Sequence, residues 1–280
     1  MRLTLDQLIV PQDFPPHAPP AAPEAAAYAQ KATAATREEA EKGLKPERVA
    51  YGPDPAQRLD VYAPEKAEAK RPVLLFFHGG AWSAGYLWWT GFMARAARES
   101  GTLFVAGTYR FGPTHRYPAQ LEDMDLALEW VRRNVGKQIV IGGHSSGGHL
   151  AALVTLIGNA EGVIACFPVS APLDIRYPDA PQGSPEERVY KNLLQKREDD
   201  EGASPIMYAA KARVPFHLLY GERDFPRIVD SNQRFVEALK KAGKTVTAEK
   251  MAGASHFDTH LALREPGAPW YTALRKALRD

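Results

Sequence analysis

The chain has 280 residues, 45% of them apolar and 24% charged, enough to bury one large core in a single α/β domain. A formal net charge of +2, with no basic block along the chain, points away from nucleic acid and anionic membrane surfaces as partners. The single cysteine, Cys166, excludes an internal disulfide and a cysteine metal cluster, and its run Val163-Ile164-Ala165-Cys166-Phe167 reads as a buried strand.

The opening Met1-Arg2-Leu3-Thr4-Leu5-Asp6 lacks a basic segment followed by an apolar one, so no signal peptide is read there and the cytoplasm is the expected compartment. No apolar stretch approaches the roughly 20 residues that cross a bilayer. Residues 11–23 are crowded with proline and predict an extended surface segment. Residues 25–42 are alanine-rich and predict a helix closed by Gly43 and Pro46. This first part is too polar to fold alone, so residues 1–48 are read as an arm that packs on the main domain and forms part of a lid.

From Val49 onward strand-like runs alternate with helical ones, the pattern of a largely parallel sheet covered on both faces. Arg58-Leu59-Asp60-Val61-Tyr62 alternates and suits a peripheral strand. Pro72-Val73-Leu74-Leu75-Phe76-Phe77 is continuously apolar and suits a central one. A helix is predicted over 87–100, a strand over 103–107 and a helix over 119–134. A strand follows at 139–142, then a helix over 150–157 that is apolar on nearly every side. Strands at 163–169 and 215–220 flank a polar, proline-containing insertion over 171–213, expected to complete the lid. A helix over 228–241 and a strand over 245–251 finish the alternation.

Between the strand ending at Gly142 and the following helix stands Gly143-His144-Ser145-Ser146-Gly147, a G-x-S-x-G pattern on a strand-to-helix turn. Such a turn lifts a serine hydroxyl to where a histidine can take its proton. Ligands in these sheets gather at the carboxyl ends of strands. After the strand ending at Tyr220 comes Gly221-Glu222-Arg223-Asp224, and after the one ending at Met251 comes Ala252-Gly253-Ala254-Ser255-His256. Ser145, Asp224 and His256 therefore follow the order nucleophile, acid, histidine. Glu222 competes with Asp224 for the acid's place. His78-Gly79-Gly80-Ala81-Trp82 follows the central strand, and the backbone N–H groups of Gly79, Gly80 and Ser146 are candidates for an oxyanion hole. Trp82, expected near the mouth of the site, Phe225 and Phe257 are candidate substrate-binding aromatics. His78, His144 and His149 have no carboxylates at a recognised ligand spacing, and no metal is expected.

The HGGxW segment at 78–82, Gly143-His144-Ser145-Ser146-Gly147-Gly148-His149, Tyr117-Pro118-Ala119 before Asp123, and the Asp224 and His256 positions resemble the α/β-hydrolase fold family. Within it the chain is similar to kynurenine formamidases and to small bacterial carboxylesterases of the hormone-sensitive-lipase side. The resemblance runs from about Val49 to the C-terminus. It implies an eight-stranded, mostly parallel sheet with helices on both faces, no cofactor, and hydrolysis of small esters or formyl anilides through an acyl-enzyme on Ser145. Where many lipase-side relatives read N-Y-R-L-A-P-E, this chain reads Thr108-Tyr109-Arg110-Phe111-Gly112-Pro113-Thr114, which leaves substrate preference open. Arg110 is expected to hold its loop through Asp123 or Asp125. The leading expectation is a serine carboxylesterase acting on small, aromatic esters. An arylformamidase and a catalytically silent ligand-binding protein on the same fold are its rivals. A small-molecule substrate is the only partner the residues call for, and a homodimer stays open.

Overall fold

Eight strands build one sheet: Glu47–Ala50 (β1), Arg58–Tyr62 (β2), Val73–Phe77 (β3), Leu103–Gly107 (β4), Ile139–His144 (β5), Val163–Val169 (β6), Phe216–Arg223 (β7) and Val246–Ser255 (β8). Their order is β1-β2-β4-β3-β5-β6-β7-β8. The pairs β1–β2 and β2–β4 are antiparallel and the rest parallel. The computed structural model describes residues 1–17, 22–63 and 71–279.

Helices run over Leu5–Leu8 (α1), Pro23–Glu41 (α2), Ala94–Glu99 (α3), Ala119–Asn134 (α4), Ser146–Ile157 (α5), Asp199–Gly202 (α6), Pro226–Lys241 (α7), Asp258–Leu261 (α8) and Pro269–Ala277 (α9). Side chains alternate across β3, so its two faces feed two cores. Leu75 and Phe77 join the core under α4, α5 and α7, with Leu173, Ile175 and Leu193 of the insertion. Leu74 and Phe76 join the core under α2, α3 and α9. Burial on both faces is why β3 and β4 read as unbroken apolar runs.

The sequence reading needs correction at several places, among them the strand ends, since β7 runs on to Arg223 and β8 to Ser255, and the start of α5, which lies at Ser146. The single helix expected over 87–100 is two 3₁₀ turns, Leu87–Trp89 and Gly91–Met93, followed by the short α3. A Cβ at Gly91 would lie 2.4 Å from the Tyr62 hydroxyl and 2.6 Å from Thr36 of α2, so this close approach calls for glycine, a weak helix former, in the middle of the expected helix. The proline-rich segment is not extended throughout, because Pro11–Asp13 forms a 3₁₀ turn with proline in its first turn, where the missing N–H is no loss. Its residues 18–21 lie outside the described residues. The boundary expected after residue 48 falls inside β1, which begins at Glu47. The insertion at 171–213 carries a π-helical turn at Val189–Leu193, α6, and a 3₁₀ segment at Pro205–Lys211.

Candidate active site

Ser145 stands between β5 and α5 with φ 54° and ψ −122°, a conformation that L-residues rarely adopt. Close approach holds the strain in place. A Cβ at Gly147 would lie 2.4 Å from the carbonyl oxygens of Phe77 and His78, so only glycine lets the first turn of α5 pass the end of β3. Ser145 is thereby lifted off the sheet, with the free N–H groups of the α5 N-terminus behind it.

His256 reaches the same point from the end of β8. Its Nε2 lies 3.0 Å from the Ser145 Oγ, and its Nδ1 lies 2.7 Å from Asp224 Oδ1. A carboxylate only accepts, so Nδ1 carries the hydrogen and Nε2 is the lone-pair nitrogen that faces the hydroxyl. Asp224 follows β7 and is 6% exposed. Its Oδ1 also accepts from the N–H of Phe225 at 2.7 Å. Burial alone would raise its pKa, but the His256 hydrogen bond and charge, with help from Ser170 and the Phe225 N–H, carry it below the ordinary carboxylate value. Glu222 is exposed and points elsewhere, accepting from the N–H of Gly253 at 2.8 Å. The structure thus brings Ser145, His256 and Asp224 into one hydrogen-bonded line and leaves Glu222 out of it.

The 78–82 loop lies beside this line. Gly80 has φ 137°, and Ala81 and Trp82 also have positive φ at 51° and 58°. Successive residues of this kind let backbone N–H groups converge into an anion-binding concavity. Among the described residues, the N–H groups of Gly79 and Gly80 donate to no protein acceptor. His78 braces the loop: its Nδ1–H donates to Gly79 O at 2.7 Å, and its Nε2 accepts from the Thr108 hydroxyl at 2.8 Å. Burial drops its pKa to about 4, so the brace is neutral.

A cavity of about 1040 Å³ opens over Ser145. Gly79 to Ala84, Phe225, His256, Phe257 and the insertion's Val189 and Asn192 line it, as do Pro15, His17, Glu24 and Tyr28 of the N-terminal part. Phe225 is 38% exposed, with its ring 4.7 Å from that of His256. Phe257 stacks on Tyr28 at 5.0 Å. Trp82 differs from expectation. It contributes to the cavity wall but is 4% exposed, and its indole N–H donates to His149 Nδ1 at 3.1 Å, which sets the ring below the mouth. His149 in turn donates from Nε2 to Ala203 O of the insertion at 2.8 Å.

Sequence reasoning passed over several neighbours of the site. Ser170, just after β6, has φ 47° and hydrogen-bonds Thr259 at 2.8 Å. Tyr28 faces the cavity from α2 and pairs with His260, a partner 232 residues away that no local pattern announces. His149 had a signal, since it ends the Gly147-Gly148-His149 run. Arg110 does hold its loop, through Asp123 at 2.9 Å, while Asp125 accepts from the Asn159 N–H instead. Among the described residues no cluster of His, Cys, Asp and Glu could hold a metal ion, and no helix is long and apolar enough to cross a membrane.

A mostly parallel eight-stranded sheet with a strained serine turn between a central strand and its helix defines the α/β-hydrolase class. The chain belongs to the family described as the alpha/beta hydrolase fold, whose family model matches residues 74–259. The fold and family expected from the motifs are borne out. Among curated proteins it is 32% identical to Esterase LipC of Mycobacterium tuberculosis over 75% of this chain and 59% of that one. It is 27% identical to Kynurenine formamidase of Danio rerio over 75% of this chain and 73% of that one. The chain therefore spans about three fifths of the length of LipC. Among solved structures, a putative thioesterase from Silicibacter superposes with a TM-score of 0.74 at 21% identity, over 90% of this chain and 94% of that one. EstE1, a carboxylesterase cloned from a metagenomic library, gives 0.71 at 21% identity over 91% and 96%. Both show the fold alone.

Proposed function

We propose that this protein is a serine hydrolase that cleaves small carboxylic esters with an aromatic group through an acyl-enzyme on Ser145. The observation that carries the reading is the 3.0 Å separation of Ser145 Oγ and His256 Nε2, with the other ring nitrogen on a buried carboxylate. His256 Nε2 takes the hydroxyl proton as Oγ attacks the ester carbonyl, and Asp224 stabilises the imidazolium that forms. The N–H groups of Gly79, Gly80 and Ser146 receive the negative charge on the carbonyl oxygen. The tetrahedral species collapses, and His256 hands its proton to the departing alcohol. A water molecule, deprotonated by the same imidazole, then releases the acid. Trp82, Phe225 and Phe257 supply an apolar wall for a flat group. The arm at 1–48 and the insertion at 171–213 act as the lid over that wall, and the activity belongs in the cytoplasm.

The similarity to an esterase of Mycobacterium tuberculosis supports ester hydrolysis. A fluorophosphonate probe and a panel of aryl and alkyl esters test it. Wild-type protein should be labelled and should turn over short aryl esters, and Ser145→Ala should lose both with its circular dichroism unchanged. Activity retained in Ser145→Ala would refute the nucleophile. A second reading, hydrolysis of a formyl anilide such as N-formylkynurenine, is favoured by the alignment that covers 73% of Kynurenine formamidase of Danio rerio. Rates on a matched aryl ester and formyl anilide, measured together, decide between the two. A wild-type chain that binds such compounds but neither labels nor turns over would be a silent binder.

A further inference from the structure

His144, the residue before Ser145, has no part in the steps above, yet it is 1% exposed and lies against the reacting groups. Its ring centre is 4.8 Å from that of His256. Its Nε2 is 2.9 Å from the carbonyl oxygen of His256. A carbonyl carries no proton, so His144 Nε2 holds the hydrogen and donates it. Nδ1 is then a buried lone pair with no hydrogen-bond partner among the described residues. The ring also stacks on that of His260 at 4.8 Å and 15°, and His260 pairs through Nδ1 with the Tyr28 hydroxyl of α2 at 2.8 Å.

We propose that His144 is a positioning residue: by gripping the His256 carbonyl from the end of β5, it fixes the turn that presents the His256 imidazole to Ser145. With Ser145, His256 and Asp224 taken as the triad, the role of His144 follows from its position. The Asp224 bond holds one end of the imidazole but does not touch the backbone of residue 256, which lies between β8 and α8. The same carbonyl also accepts from Thr259 Oγ1 at 2.9 Å, but Thr259 lies three residues on and moves with the turn. It reaches β6 only indirectly, through Ser170. His144 is the direct tie, spanning 112 residues from the strand that also carries the nucleophile, so nucleophile and base are held by adjacent residues of one strand end. The grip has to be neutral, because a second cation 4.8 Å away would oppose the His256 imidazolium that forms during turnover. Burial first, and the His256 charge second, keep the His144 pKa down at about 3.

The test compares His144→Leu with His144→Gln in the full chain, using an aryl ester and the fluorophosphonate probe. A glutamine amide N–H reaches about where Nε2 stands, whereas leucine has no donor. We expect kcat and the labelling rate to fall on the order of 10- to 100-fold in His144→Leu, the scale of a misplaced catalytic group. KM should stay near wild type, and His144→Gln should recover most of the loss. Should His144→Leu fail to fold, His144→Asn replaces it, since its amide stops short of the carbonyl. The proposal is overturned if the variant without a reaching donor keeps wild-type kcat, or if glutamine falls as far as it does. A wild-type protein that neither labels nor turns over esters would instead overturn the functional reading itself.

Discussion

At the scale of single residues the choice between Asp224 and Glu222 shows what a motif can carry and where geometry takes over. Strand order and chain order located the acid after β7, but two carboxylates stand there. The pairing of β7 with β8 shifts register between Gly221 and Arg223, and Glu222 leaves the ladder outward to the Gly253 N–H while Asp224 turns under His256. A bulge of this kind is set by the neighbouring strand and has no local signature. Asp224→Asn should therefore lower kcat on the order of 10⁴-fold, as loss of the triad acid does elsewhere, because asparagine cannot hold the tautomer and stabilise the imidazolium together. Glu222→Gln should stay near wild type. Steady-state kinetics on one aryl ester check both, and a larger loss in Glu222→Gln would reassign the acid. Gly80→Ala makes a second test nearby. At φ 137° its Cβ would lie 1.8 Å from the Ala84 carbonyl oxygen, so the loop must move and kcat should fall by about two orders of magnitude with the proposed donors.

At the scale of elements the strands and the long helices were legible because period and length speak for them. The predicted 119–134 helix and the 163–169 strand coincide with α4 and β6. The insertion was legible only as an interruption, since its order comes from long-range polar ties. Asp174 lies at its start, 3% exposed, with Arg176 at 2.7 Å, Arg234 of α7 at 2.6 Å and the Ser204 hydroxyl at 3.4 Å. Burial works against the charged form, but the two guanidinium hydrogen bonds overcome it and bring the Asp174 pKa down to about 2. A carboxyl whose folded value is depressed stabilises the fold above its ordinary value and loses that contribution as pH falls through the folded one. The window here runs from near pH 4 down to about 2. Since both arginines are about two fifths exposed, the contribution is on the order of 1–2 kcal/mol at neutral pH. Asp174→Asn should lower the urea midpoint at pH 7, and the gap to wild type should close as pH drops towards 2. A gap that stays constant would show that the ion pairs carry none of it.

At the scale of the whole molecule, the site depends on elements that the sequence keeps far apart. The cavity wall takes Tyr28 from an alanine-rich helix whose apolar pattern says only that one side is covered, not by what. Contacts over such separations follow from which faces of the sheet are left to cover, and the two cores make that dependence concrete. Phe76, next to the last residue of β3, is fully buried, stacks on His260 at 5.3 Å and packs edge-on with Trp270 of α9 at 6.2 Å. His260 also stacks on His144 and pairs with Tyr28, so one side chain in the core supports the tier beneath the reacting groups. Truncation of such a residue costs about 3–5 kcal/mol, and in a chain of this size that lowers Tm on the order of 10 °C. Phe76→Ala should show that loss in thermal melts followed by circular dichroism, and a drop in kcat at temperatures where the variant is still folded, because the truncation removes the ring on which His260 stacks. Leu126→Ala, at a position 39% exposed on α4, removes a similar apolar group away from that tier and should move Tm by only a degree or two. Equal shifts in the two variants would mean that the core under α2 and α9 does not support the site.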